Sequence, residues 1–138
     1  ERSVNFKGEF DQVTHAGVNP LPIQHTIPVW FGGGSDATLK RAARLGDGWI
    51  PLGNPGSKTT KMIEKLNNFL EEENRDKTKF GIEAWIRYGE GKPDAWKATA
   101  EKWKQLGATH LTFYTSGQGA GTVSQQIEAM KIFKDAMQ

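Results

Sequence analysis

Three consecutive glycines, Gly32, Gly33 and Gly34, run directly into Ser35, Asp36, Ala37 and Thr38. That order of residue types suits the capture of an anion. Glycines let backbone amides approach a charged group closely. A helix opening at Ser35 offers unpaired N–H groups and a partial positive charge, and hydroxyls in the cap and first turn add donors. Asp36 is discordant, because its carboxylate favours the helix dipole but repels a phosphate; its side chain has to point away. A simpler reading needs no ligand: the glycines make a tight strand-to-helix turn and Ser35 caps the helix.

A second set of chemistry-bearing residues alternates along one extended run. Glu83, Trp85 and Arg87 share one face of it, and Ile82, Ala84 and Ile86 share the other. The aliphatic face should pack on helices, leaving a carboxylate, an indole and a guanidinium on the opposite side. A Glu83–Arg87 ion pair is an equally good account of that face. The histidines, His15, His25 and His110, include no pair at metal-ligand spacing, so no metal is expected. The absence of cysteine excludes disulfides and thiolate chemistry and permits a reducing compartment, so the expected location is the cytoplasm.

The elements that must position these residues follow from pattern and punctuation. At 138 residues, 36% hydrophobic and 25% charged, the chain suffices for one core. A formal charge of +2 with both signs interleaved gives no basic stripe, so no nucleic-acid partner is expected. No apolar run is long enough to suggest a membrane helix, and no membrane partner is expected. The chain opens on Glu1 without a methionine, which reads as a fragment, a processed product or the ordered part of a longer chain.

Residues 1–26 read as a short hairpin (Val4, Phe6, Gly8, Phe10) and an extended connector broken by Gly17, Pro20 and Pro22. From residue 27 to 138 strands and helices alternate. Strands are expected at about 27–32, 48–52, 80–88 and 109–115. The first helix carries Leu39, Ala42, Ala43 and Gly46 on one stripe. The second, with Ser57 as a possible cap, carries Met62, Ile63, Leu66, Phe69 and Leu70. The third starts at Pro93 with Trp96, Ala100, Trp103 and Gly107 in register. The last carries Val123, Ile127, Met130, Phe133 or Lys134, and Met137. Strict alternation implies a parallel sheet with right-handed crossovers. Four parallel strands have two open edges, whereas a closed (β/α)8 TIM barrel removes them at about 250 residues. The chain is therefore half of such an α/β barrel, one of two copies that complete one, or a small open sheet.

The segment IPVWFGGGSDATLKRAARLGDGWIP, from Ile27 to Pro51, resembles the luciferase-like flavin monooxygenase family, which includes bacterial luciferase and enzymes using the deazaflavin coenzyme F-420. The lead-in residues Gly8, Phe10, Pro20, Pro22, Gln24 and Ile27 to Val29, the Gly46-Asp47-Gly48-Trp49 turn and the closing run Gly107 to Leu111 agree in order. The resemblance covers the C-terminal half of that family's barrel. It implies an oxidoreductase whose coenzyme, FMN or the deazaflavin, places its phosphate at Gly33, Gly34, Ser35 and Thr38. The small-molecule substrate would lie against the coenzyme ring, with walls from the missing N-terminal half.

Functional side chains of barrels collect at the C-terminal strand ends. That makes Arg87 and Thr115 candidate ring or substrate contacts, beside Pro51, Leu52, Tyr114 and Ser116, while His110 falls at the opposite, stabilising end. No catalytic residue is identified. Two other readings stay open: a self-associating half barrel, closing as a homodimer and keeping an anion site without catalysis, and an open-sheet phosphate-binding domain.

Overall fold

The computed structural model describes residues 3–24 and 26–138, so His25 lies outside the described residues. An antiparallel hairpin of β1 (Val4–Lys7) and β2 (Gln12–Ala16) comes first, with every residue of both strands exposed. Then β3 (Trp30–Gly32), α1 (Asp36–Leu45), β4 (Gly48–Ile50), α2 (Ser57–Glu72), β5 (Gly81–Arg87), α3 (Pro93–Gln105), β6 (His110–Tyr114) and α4 (Val123–Ala136) alternate. Strands β3 to β6 form one sheet in chain order, and each neighbouring pair is parallel. This is the expected (β/α)4 arrangement of part of a barrel.

The first two sheet strands are shorter than the expected 27–32 and 48–52, and Asp47 explains where the first begins. Its carboxylate accepts the Val29 N–H at 2.8 Å and its own N–H donates to the Val29 carbonyl at 2.7 Å, so the ladder starts only at Trp30. The Asp47 carbonyl also accepts the Gly81 N–H at 2.9 Å. One residue thus ties together the N-terminal ends of three strands.

The main core lies between the sheet and its helices. Leu39, Ala42 and Ala43 of α1 and Ile63, Leu66 and Leu70 of α2 close over Trp49 and Ile82. Removing this apolar surface from water is the main stabilising term. The Arg75 guanidinium donates to the carbonyls of Ala43 (3.0 Å) and Gly46, placing a cation at the C-terminal end of α1, where the helix dipole favours it. Trp96, Phe113 and Phe133 form a second cluster between α3, β6 and α4.

Three expectations about the helices and strands are corrected. Ser57 does not cap α2: Gly56 occupies the cap position without a side-chain bond, and Ser57 is the first helical residue. The inward stripe of α4 is Gln126, Ala129 and Phe133, while Val123, Ile127 and Met130 are 73%, 50% and 49% exposed. The Phe133 ring stacks on Phe113 with centroids 4.1 Å apart, and this contact, with small Ala129 beneath, sets the rotation of the helix. No Glu83–Arg87 pair forms. Glu83 accepts from Trp85 and Thr112, and Arg87 pairs with Glu90 at 2.9 Å.

The face of the sheet away from the helices carries Trp30, Ile50, Glu83, Trp85, Arg87, Thr112 and Tyr114, all partly or largely open to solvent. At its N-terminal end the Trp30 indole lies across Gly48 and Gly81. A Cβ at either position would fall 2.3 or 2.2 Å from the ring, so only glycine fits. His110 meets Trp30 edge-on, with centroids 4.9 Å apart.

Candidate functional site

The glycine turn sits where β3 ends and α1 begins. Gly33 has φ +120°, a conformation that L side chains rarely adopt. Its carbonyl accepts the indole N–H of buried Trp49 at 2.6 Å, and its N–H donates to the Ile50 carbonyl at 3.3 Å. The turn is therefore pinned from the core side by a residue one strand away. The sequence places Trp49 in the second strand and in a turn motif but does not show this bond, which spans 16 residues.

Ser35 is the N-cap of α1, as expected. Its Oγ accepts the Thr38 N–H at 3.2 Å and lies 2.9 Å from Thr38 Oγ1. Among the described residues, the N–H groups of Gly34, Ser35, Asp36 and Ala37 meet no protein acceptor. Asp36 points away from the turn: both its carboxylate oxygens accept from Lys65 Nζ of α2, at 2.7 and 3.0 Å. The repulsive charge is thereby offset by an ion pair. The structure brings Gly33, Gly34, Ser35 and Thr38 together as one cradle of amides and hydroxyls.

An open cleft of 380 Å³ adjoins this cradle, lined by Gly34, Leu52, Gly53, Asn54, Lys58, Thr59 and Met62. Met62 packs so closely that a Cβ on Gly34 would lie 2.6 Å from its Sδ. Lys58 makes no ion pair among the described residues and supplies the cleft's cation. Sequence reasoning missed Lys58. The available signal was its place in the loop-to-helix turn after β4, at the same end of the sheet as the glycines.

Arg87 stands at the C-terminal end of β5, half-buried and paired with Glu90. Thr115 follows β6 and is only 5% exposed, with its carbonyl accepting the Gln118 N–H at 3.2 Å. Neither touches the glycine cradle through a hydrogen bond among the described residues. Among the described residues no group of His, Asp and Glu is arranged to hold a metal ion. Among the described residues no helix is long and apolar enough to cross a membrane.

A family model described as luciferase-like monooxygenase matches residues 1–135. The chain belongs to that family. Relatives by sequence include uncharacterized proteins of Mycobacterium tuberculosis and Mycobacterium bovis, 37% identical over 67 residues, a match that takes in 49% of this chain and 23% of each relative. Among solved structures, an F420-dependent secondary alcohol dehydrogenase in complex with an F420-acetone adduct has TM-score 0.73 at 17% identity. The match covers 100% of this chain and 57% of that one. The coenzyme F420-dependent tetrahydromethanopterin reductase of Methanopyrus kandleri has TM-score 0.73 at 14% identity, covering 98% and 58%. Such distant likenesses establish the fold. The luciferase-like chain described here spans little more than half the length of those barrel enzymes.

Proposed function

We propose that this chain is the coenzyme-anchoring part of a deazaflavin-dependent oxidoreductase, with residues 27–138 as the C-terminal (β/α)4 half barrel and 1–26 as its lead-in. The observation that carries the reading is the cradle at Gly33, Gly34, Ser35 and Thr38. A phosphate fits it on three counts: four unpaired amides at a helix N-terminus, two adjoining hydroxyls, and a neighbouring carboxylate already engaged by Lys65. The F420 dependence of the two solved enzymes favours the deazaflavin over FMN. A cytoplasmic setting is in keeping with the cysteine-free sequence.

When bound, a deazaflavin supplies hydride transfer, and the protein supplies binding and orientation. Gly33 and Gly34 let the backbone close on the phosphate. Ser35 and Thr38 hydrogen-bond to each other, so one of the two hydroxyls donates to the other and the second donates to the phosphate, and Lys58 adds charge from the adjoining cleft. Trp49 holds the Gly33 carbonyl inward, which leaves the following amides directed at the anion. The open inner face of the sheet becomes a pocket wall once the remaining barrel strands are supplied. A longer polypeptide is the simplest source, since the matched enzymes are nearly twice as long.

Fluorescence titration of the native-length protein with the deazaflavin and with FMN tests the proposal. Saturable binding of the deazaflavin, tighter than that of FMN, is expected. Failure of both to bind in a phosphate-dependent way removes the coenzyme assignment, and FMN binding more tightly reverses the choice of coenzyme.

A further inference from the structure

The inner face of the sheet carries a cluster that the anion cradle does not use. Glu83 Oε1 accepts from Trp85 Nε1 at 3.0 Å and from Thr112 Oγ1 at 2.8 Å. Two donors on one oxygen fix the carboxylate, and the carboxylate in turn fixes the edge of the indole. The indole lies against Tyr114, with centroids 5.9 Å apart and planes 21° from parallel. Strand register sets Thr112 opposite Trp85 and Tyr114 opposite Arg87, so this stack stands in the C-terminal half of the sheet. The glycine cradle lies at the same end.

The charges beside the stack limit what it can hold. Arg87 is committed to Glu90 at 2.9 Å. Glu83 has no cation within ion-pair distance among the described residues. An anionic group seated on the stack would meet the Glu83 carboxylate, while Arg87, the cation on the same strand, is already paired. A neutral planar group would gain an aromatic surface, and a hydroxyl on it could donate to the carboxylate.

We infer that Trp85 and Tyr114 form a wall of the substrate site that selects an uncharged aromatic substrate carrying a hydrogen-bond donor, such as an aromatic alcohol, over an anionic one. Glu83 both holds the wall flat through Trp85 and Thr112 and supplies the negative charge that accepts the donor and disfavours an anion. The inference rests on the coenzyme proposal, which puts the substrate at this end of the strands.

The test is calorimetric titration of the native-length protein with 2-naphthol and with 2-naphthoate, without coenzyme and then with the deazaflavin present. Naphthol is expected to bind at least about tenfold more tightly than naphthoate, and Tyr114→Ala to weaken naphthol by up to about tenfold while Tyr114→Phe stays within about twofold. Glu83→Gln, which keeps the shape and removes the charge, should narrow the naphthol-to-naphthoate ratio, a change that a purely structural role would not produce. Thermal unfolding of the Tyr114 variants serves as the control for folding. Equal affinity for the two probes, absence of naphthol binding, or indifference to Tyr114→Ala overturns the inference. Loss of coenzyme binding with naphthol selection intact would count against the coenzyme proposal alone.

Discussion

The indole N–H of Trp49 lies 2.6 Å from the carbonyl oxygen of Gly33. This bond joins a fully buried core residue to the turn that opens α1, so packing at β4 sets the shape of that turn. Trp49→Phe should keep the apolar contact but leave the Gly33 carbonyl without its donor. The expected result is a folded protein less stable by about 1–3 kcal/mol, by thermal or denaturant unfolding, with coenzyme affinity reduced at temperatures where it remains folded.

Gly33 and Gly34 should respond differently to alanine. Gly33→Ala forces an L side chain to φ +120°, at a stability cost of about 1–3 kcal/mol. Gly34→Ala meets only the flexible end of Met62, which can move, so stability should change little while the added methyl obstructs the cradle. Parallel unfolding and coenzyme titrations separate the two effects.

The Asp36–Lys65 pair should matter for binding more than for folding. Both side chains are more than half exposed, at 60% and 52%, so the pair is worth at most about 1 kcal/mol of stability. Lys65→Met leaves an unpaired carboxylate beside the cradle and should weaken coenzyme binding a few-fold. Asp36→Asn should strengthen it, and both effects should shrink as salt is added. Titrations at low and high ionic strength measure this directly.

The floor of the inner face makes a sharper stability prediction. Gly81→Ala places a methyl 2.2 Å from the Trp30 ring, which is confined between Gly48, Gly81 and His110. A loss of about 1–3 kcal/mol is expected from overpacking. Trp30→Leu in the same chain should recover part of it, because the smaller side chain frees the space.

Much of this is legible in the sequence. Strand and helix alternation showed in the apolar periods, and the stripe of Leu39, Ala42 and Ala43 is fully buried as its spacing requires. The cradle was legible because its glycines, cap and hydroxyls are contiguous. What escaped depends on contacts between distant elements. Asp47 shortens β3 by taking the Val29 amide, Phe113 turns α4 so that Ala129 rather than Ile127 or Met130 faces inward, and Glu83 prefers Thr112 of β6 to Arg87 of its own strand. None of these is encoded in a local period.

The central claim, that the turn after β3 holds the coenzyme by its phosphate, is tested most directly by comparing the intact deazaflavin with its phosphate-free ring and ribityl fragment, in the native protein and in Ser35→Ala/Thr38→Val. In the native protein the intact coenzyme should bind at least about tenfold more tightly than the fragment, and the double variant should lose most of that difference without loss of fold. Equal binding of the two ligands to the native protein, or a difference untouched by the double substitution, would contradict it.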